Sequence, residues 1–442
     1  MHRKKSSILF LSSFLFLTII QPVAATIDTT EIDTTGLAEI PGTDNFTYGT
    51  NTTFLYNYFY KYTRKNIATS STPEFWIPTL GNRTLLTGGG VYQQEFVILN
   101  QTWGSVSAAS TITDDNGNEY YYFHLSSVSI GSSWSLNVTA NYTLRSINWE
   151  ENNSITIANY NTTDPEYLEY TKEEEYINKS YAPIANKAAE LNDTSVFVTA
   201  NNIYDYVTDL LAYQIQPSEY GAEWAIDNEK GDCTEYAYLM VALLRASGIP
   251  ARVLRGIVIA DSSTQGVTPN FGAPVGTTWD FEFNYEAPSL DSSNLPGHAW
   301  VEYYVPGIGW VTSDPTWHNS GNYKTRIDNI HVPYTVGVWI GDGISPSPPS
   351  TPSVGIATIP YPIYNDQNLY EVSYTFTVIE QQLAPSIFDE LLQWITDNPV
   401  LFGGIVVGLI ALIVIVAAVR KKRNSSSNYD AGSSSRPVYF ND

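Results

Sequence analysis

The stretch from residue 228 to residue 251, "NEKGDCTEYAYLMVALLRASGIPA", decides the fold. From Cys233 to Ala246 the residues Ala237, Met240, Val241 and Leu244 form one apolar stripe, and Leu239, Ala242 and Leu243 widen it. The spacing predicts a helix buried on a broad face. Arg245 in the last turn, Gly248 just past it and Pro250 beyond mark its end. Cys233, the single cysteine of the 442 residues, opens the helix. There the unpaired N–H groups and the helix dipole favour a thiolate, whereas Asp232 opposes it unless its carboxylate turns away to cap the helix. A lone thiol forms no internal disulfide; it is a buried structural residue, an intermolecular partner or a reactive group.

The flanking sequence narrows this choice. Upstream, Phe197, Ala200, Ile203, Val207, Leu210 and Leu211 recur at helical spacing, with Asp193 or Thr194 available as the cap. Downstream, "ARVLRGIVIA" (251–260) reads as a strand and residues 261–294 as a long loop. Then "HAWVEYYV" and "WVTSDPTW" read as paired strands joined through Pro306, Gly307, Ile308 and Gly309. His298 opens the first and Asp314 lies on the second. A hairpin centred on Gly307 sets Asp314 opposite Trp300 and diagonal to His298 on one sheet face, roughly 7–8 Å apart at the backbone. A two-residue loop would pair Asp314 with Val301 and send the two side chains to opposite faces. A thiol nucleophile needs a base and a group that orients the base, and Cys233, His298 and Asp314 supply those types. Their bland readings are a buried thiol, a strand-end histidine and a turn residue before Pro315. His318 and His331 lack partners at ligand spacing and read as surface or packing residues. Trp300, Trp310 and Trp317 read as core and rim of the sheet, with an acyl-substrate groove as the alternative.

The blocks "IYDYVTDLLAYQI", "GDCTEYAYLMVALLRASGIPARV" and "GHAWVEYYVPGIGWVTSDPTW" resemble, in order and spacing, the transglutaminase-like superfamily in its microbial extracellular branch. The resemblance covers roughly residues 181–320. It implies a papain-like α+β core in which Cys233 is the nucleophile, His298 the general base and acid, and Asp314 the residue that orients the imidazole. It further implies a thioester intermediate on protein or peptide amides, resolved by water in a peptidase or by an amine in an acyltransferase. Animal cross-linking members carry Gly-Gln-Cys-Trp where this chain has Gly231-Asp232-Cys233-Thr234, and their calcium sites have no evident counterpart. No metal, calcium or other cofactor is therefore expected. Tyr213 and Trp224 are the candidates for a second oxyanion donor beside the Cys233 N–H. The rival reading is a catalytically silent cell-surface scaffold or adhesion protein that binds glycan or protein through its N-terminal part.

The rest of the chain reads as modules. Residues 1–25, with Arg3, Lys4 and Lys5 before an apolar run, form a secretory signal. Residues 26–180 hold short Tyr-, Val- and Thr-rich runs broken by turn signals such as Asp115-Asn116-Gly117-Asn118 and read as an antiparallel β-sandwich. The charged run within it, 166–180, reads as a solvated linker. The core spans 181–330, a C-terminal β-rich segment 331–384, and a juxtamembrane helix and linker 385–399. Residues 400–419 are uncharged and long enough, at about 1.5 Å per residue, to cross a hydrocarbon layer roughly 30 Å thick. Arg420 to Arg423 then open a cytoplasmic tail, 420–442. The expected fold class is multidomain: N-terminal sandwich, α+β papain-like core, small C-terminal β segment and single transmembrane helix. The expected location is the cell membrane with the ectodomain outside. Sequons at Asn45, Asn51, Asn82, Asn100, Asn137, Asn141, Asn152, Asn161, Asn178 and Asn192 concentrate in the front half. With 45 Asp and Glu against 22 Lys and Arg, the chain disfavours nucleic acid as a partner. Protein or peptide substrates and the membrane are the expected partners.

Overall fold

The computed structural model describes residues 45–64, 74–84, 92–104, 110–124, 129–259, 273–286, 297–320, 322–338, 363–364 and 369–382. The expected signal (1–25), juxtamembrane helix (385–399), transmembrane helix (400–419) and tail (420–442) lie outside these residues. Among the described residues no helix is long and apolar enough to cross a membrane.

Seven strands precede the first helix: β1 (Phe46–Thr63), β2 (Glu74–Pro78), β3 (Arg83–Thr84), β4 (Tyr92–Trp103), β5 (Ser110–Thr113), β6 (Glu119–His124) and β7 (Ser133–Trp149). Buried residues alternate with more exposed ones from Thr52 to the end of β1 and from Ser133 to Ser146 of β7, following the period-2 pattern of their aromatic and aliphatic residues. The helices α1 (Pro165–Thr171), α2 (Ala182–Leu191), α3 (Val196–Leu210), α4 (Gly221–Asn228) and α5 (Cys233–Ala246) follow, with the short strands β8 (Ala212–Tyr213) and β9 (Lys230–Gly231) around α4. The later strands are β10 (Ala251–Val258), β11 (Thr278–Glu286), β12 (Gly297–Val305), β13 (Gly309–Ser313), β14 (Arg326–Ile327), β15 (His331–Val336), β16 (Ile363–Tyr364) and β17 (Leu369–Gln382).

Two departures from the sequence reading matter. First, the front sheet is not built from residues 26–180 alone. Its order is β11-β17-β1-β7-β4-β3, with β14 beside β7, so it recruits a strand from the expected long loop 261–294 and another from the expected C-terminal segment. Tyr58 pairs with Tyr374 and Phe281 with Tyr374 in continuous antiparallel register. A self-contained N-terminal sandwich is thereby corrected: β1 needs β17 along its other edge, and an unpaired strand of this length would leave a row of backbone groups without partners. A second, four-stranded sheet, β16-β2-β6-β5, meets the first where Phe123 packs on Trp134 with ring centroids 4.5 Å apart. Second, the expected solvated linker contains α1. Its neighbour Glu174 reaches the buried Arg245 at 2.8 Å, and Arg245 also donates to the carbonyls of Lys172 and Ala251.

The core sheet has the order β13-β12-β10-β15, and α5 packs against it. Every residue of α5 from Cys233 to Arg245 is buried, more than the one-sided pattern requires, because α2, α3 and α4 cover its other faces. The hairpin is the odd one: Val301 pairs with Ser313 and Val305 with Gly309, so the turn is centred on Gly307, whose φ of +78° suits glycine. Helix α3 begins one residue later than the expected caps; Ser195 is the cap and accepts from the Val198 N–H.

Front sheet and core sheet share one apolar cluster that runs from Tyr60 and Trp134 to Ile257 and Val332. They also share a buried ion pair. Glu302, fully buried on β12, is held by Arg252 of β10 at 2.8 Å and by Arg83 of the short strand β3. Replacing Glu302 with Ala strands two guanidinium groups against apolar surroundings. The expected loss is about 3–5 kcal/mol of unfolding free energy, read by denaturant titration at pH 7.

Candidate active site

Cys233 is the first residue of α5, and the sequence around it builds a two-way cap. Asp232 Oδ1 accepts from the Thr234 N–H at 3.1 Å, and Glu235 Oε2 accepts from the Asp232 N–H at 3.1 Å. The second oxygens are also used: Asp232 Oδ2 takes the Gln216 N–H and Glu235 Oε1 the Tyr220 N–H, both at 3.0 Å. The cap therefore pins the segment between α3 and α4 to the start of α5. Gly231 is required by contact, since a Cβ there would lie 2.2 Å from Glu235 Cβ.

The thiol is 9% exposed. Burial pushes it well above its ordinary value, Asp232 adds to that, and the Ala299 N–H, hydrogen-bonded to it, lowers it. The expectation of a thiolate favoured by the helix end is corrected: desolvation and the neighbouring carboxylate outweigh the N-terminal position. Burial and the neighbouring Asp232 likewise push Glu235 up to about 7.

Ala299 immediately follows His298 on β12. The His298 ring is 6% exposed, and its Nε2 lies 2.7 Å from Asp314 Oδ2. This diagonal arrangement across β12 and β13 is the one that the hairpin centred on Gly307 requires. Nδ1 is then the ring nitrogen that Asp314 does not engage. Trp300 stacks along the His298 ring at 5.7 Å and limits its rotation. Asp314 is wholly buried; its Oδ1 accepts from the Thr316 N–H at 2.9 Å, and its backbone is tied to Tyr323 and Tyr204. Burial alone would raise this carboxyl, but the charges and hydrogen bonds of His298 and His331 hold it well below the ordinary range.

His331 was not expected here. It is fully buried on β15; Nε2 lies 3.1 Å from Asp314 Oδ2 and Nδ1 lies 2.7 Å from Asp328 Oδ1. Tyr323 closes the chain by donating to Asp328 Oδ2 at 2.7 Å. Burial disfavours the His331 cation, but Asp328 and Asp314 outweigh it and raise the ring to about 9. The one signal in the sequence is an aspartate three residues before a strand histidine, "DNIH"; the partner that matters, Asp314, is seventeen residues away. His318 hydrogen-bonds only locally, to the Pro315 carbonyl. His298, Asp314 and His331 also present ligand atoms within 4.8 Å of one another, but both Nε2 atoms aim at the same Asp314 oxygen, the pattern of a hydrogen-bonded chain. Trp300 and Trp310 are core residues, Trp310 lying 3.7 Å beneath the Arg252 guanidinium. Of the two oxyanion candidates, Trp224 stacks on Tyr220, whereas burial and the neighbouring Cys233 and Asp232 raise the Tyr213 phenol.

Residues 185–315 match the family model of the transglutaminase-like superfamily. The protein-glutamine gamma-glutamyltransferase of Pseudomonas aeruginosa is 37% identical over 110 residues, 24% of this chain and 13% of that protein. The YebA protein of Bacillus subtilis is 29% identical over 116 residues, 26% of this chain and again 13% of the relative. The matched part thus spans 13% of the length of each of these curated relatives. A solved structure from Cytophaga hutchinsonii, provisionally assigned as a cysteine protease, covers 76% of this chain and 92% of its own, with 15% identity and a TM-score of 0.44. The fold is that of a transglutaminase-like core joined to a mostly β remainder. Residues 185–315 are thus a transglutaminase-like domain.

Two outcomes follow from this geometry. Gly231→Ala should displace the α5 start, lower stability by about 1–3 kcal/mol and slow alkylation of Cys233, read by denaturation and iodoacetamide labelling. The buried charges set a pH window. The raised His331 contributes stability that is full below the ordinary histidine value and is lost as pH rises through about 9. The depressed Asp314 and Asp328 contribute stability present above the ordinary aspartate value and lost as pH falls. Denaturation midpoints measured from pH 3 to pH 10 should show a plateau with both limbs, the alkaline one absent in His331→Gln.

Proposed function

We propose that this chain is a membrane-anchored, cell-surface cysteine enzyme that cleaves or transfers protein or peptide amides through Cys233, His298 and Asp314. The observation that carries the reading is the 2.7 Å contact of His298 Nε2 with Asp314, both buried at the sheet against which the Cys233 helix packs. The transglutaminase-like core supports acyl chemistry of this class. The membrane and surface placement rests on the apolar run 400–419 and the basic residues after it.

The thiol rests neutral, so His298 acts first as base. Nδ1 takes the thiol proton as Sγ adds to the amide carbonyl carbon. The Cys233 N–H, at the start of α5 where no helical carbonyl claims it, faces the developing oxyanion, with Tyr213 as the second donor. Collapse breaks the C–N bond; the leaving amine departs with the proton from Nδ1, and the acyl group stays on sulfur as a thioester. Water or a second amine then attacks the thioester carbon, giving its proton to Nδ1, and that proton returns to sulfur as the product acid or new amide leaves. Asp314 remains ionised throughout and holds the ring with Nε2 protonated. No metal enters these steps. The front sheet, whose sequons include Asn100 and Asn137 at exposed positions, is proposed to carry glycans.

The test incubates the full chain, Cys233→Ala and His298→Ala with a glutamine-containing protein and a labelled amine, followed by mass spectrometry. Cysteine-dependent amine incorporation is expected of a transamidase and cysteine-dependent new peptide ends of a peptidase, with His298→Ala slowed about 100-fold or more. A folded protein whose thiol is alkylated only after denaturation would instead favour the silent scaffold.

A further inference from the structure

The chain His298–Asp314–His331–Asp328–Tyr323 continues past the three residues of the proposed reaction, and its far half has a chemical consequence. Both nitrogens of His331 face carboxylate oxygens, Nε2 toward Asp314 at 3.1 Å and Nδ1 toward Asp328 at 2.7 Å. A neutral imidazole has one N–H, so it would turn a lone pair on one of these anions; only the doubly protonated ring satisfies both. Asp328 enforces this arrangement. Its Oδ1 also accepts the backbone N–H of Ile330 and of His331, and Tyr323 holds its other oxygen. The aspartate can neither rotate away nor release the ring.

The same Asp314 oxygen therefore accepts from two imidazoles, one of them a standing cation. We infer that His331 is a positioning residue: it fixes Asp314 from behind and, by its charge, limits how strongly Asp314 draws a proton onto His298. This rests on the proposed triad and assigns to it a residue that limits the pull of Asp314 on the His298 proton. The ionisable groups around the ring are Asp314 from the end of β13, Asp328 and Tyr323 from the loop before β15, and His298 from β12. His298 lies at 5.4 Å between ring centroids and Tyr323 at 6.1 Å. The other contacts are aromatic: Trp300 at 5.2 Å and Trp317 at 4.7 Å. Neither indole competes for a proton, so the two carboxylates decide the ring's charge. The rise of His331 to about 9 accords with this.

The sign of the effect is fixed by Coulomb's law. Removing the cation leaves Asp314 with its full charge, so His298 should hold its proton to higher pH. Gln at position 331 can keep a donor toward Asp314 without the charge. The experiment titrates the full chain with 13C-labelled histidine rings; it contains only five histidines, and His298→Ala assigns one signal and His331→Gln another. The expected result is a His331 ring doubly protonated at pH 7 and a His298 midpoint that rises by about one pH unit or more in His331→Gln. A His331 ring that is neutral at pH 7, or a His298 midpoint unchanged in the folded variant, overturns the inference. Should His331→Gln not fold, Asp328→Asn gives a second reading: the His331 midpoint must fall, and an unchanged one overturns the inference equally. Iodoacetamide labelling of the same samples separates this outcome from the proposed function. A wild-type thiol that is inert near neutral pH, or not slowed by His298→Ala, removes the triad while the histidine titrations still decide the part played by His331.

Discussion

A buried carboxylate, Asp314, is the constraint around which the core is arranged. An ionised group with no exposure to water would be expelled or protonated unless every acceptor position had a donor. Three donors converge on it from separate parts of the chain: His298 on β12, His331 on β15 and the Thr316 N–H in the turn after β13. Satisfying this one anion thus fixes the relative placement of three strands, and it orients His298 as a by-product. β13 is an edge strand of the core sheet, so both histidine donors come from strands on the same side of it.

The cysteine is placed by a different device. The cap formed by Asp232 and Glu235 uses four carboxylate oxygens to hold α5, the segment before α4 and the loop after β8 at one point. Those carboxylates raise the thiol, so the helix end that presents Cys233 also discourages its ionisation. Burial and the neighbouring carboxylate thus act together against the thiolate.

Front sheet and core form one body through apolar contact and through Glu302, which stands four residues after His298 on the same strand. Arg83 and Arg252 anchor that glutamate, which is fully buried. β17 completes the long sheet from the far end of the described chain, so the core is enclosed between early and late strands. This coupling gives the front sheet a structural role in holding β12, whatever else it binds.

The local sequence determined the helix from Cys233 to Ala246 and its Gly248 stop, because caps and periodicity act over a few residues; it left the hairpin open between a turn centred on Gly307 and a two-residue loop, and the register that pairs His298 with Asp314 came from the fold. It left four further things to the tertiary structure. The strand β11 was hidden in an irregular stretch and β17 in an apparent appendage, since a sheet edge is completed by whichever strand meets it, however distant. Glu174 looked solvated until Arg245, buried across the helix layer, required a partner. The thiol's protonation depended on how much water the fold removes, which no helix position reveals. His331 looked like packing because its partner Asp314 lies seventeen residues away, and only the fold sets the imidazole between that carboxylate and Asp328.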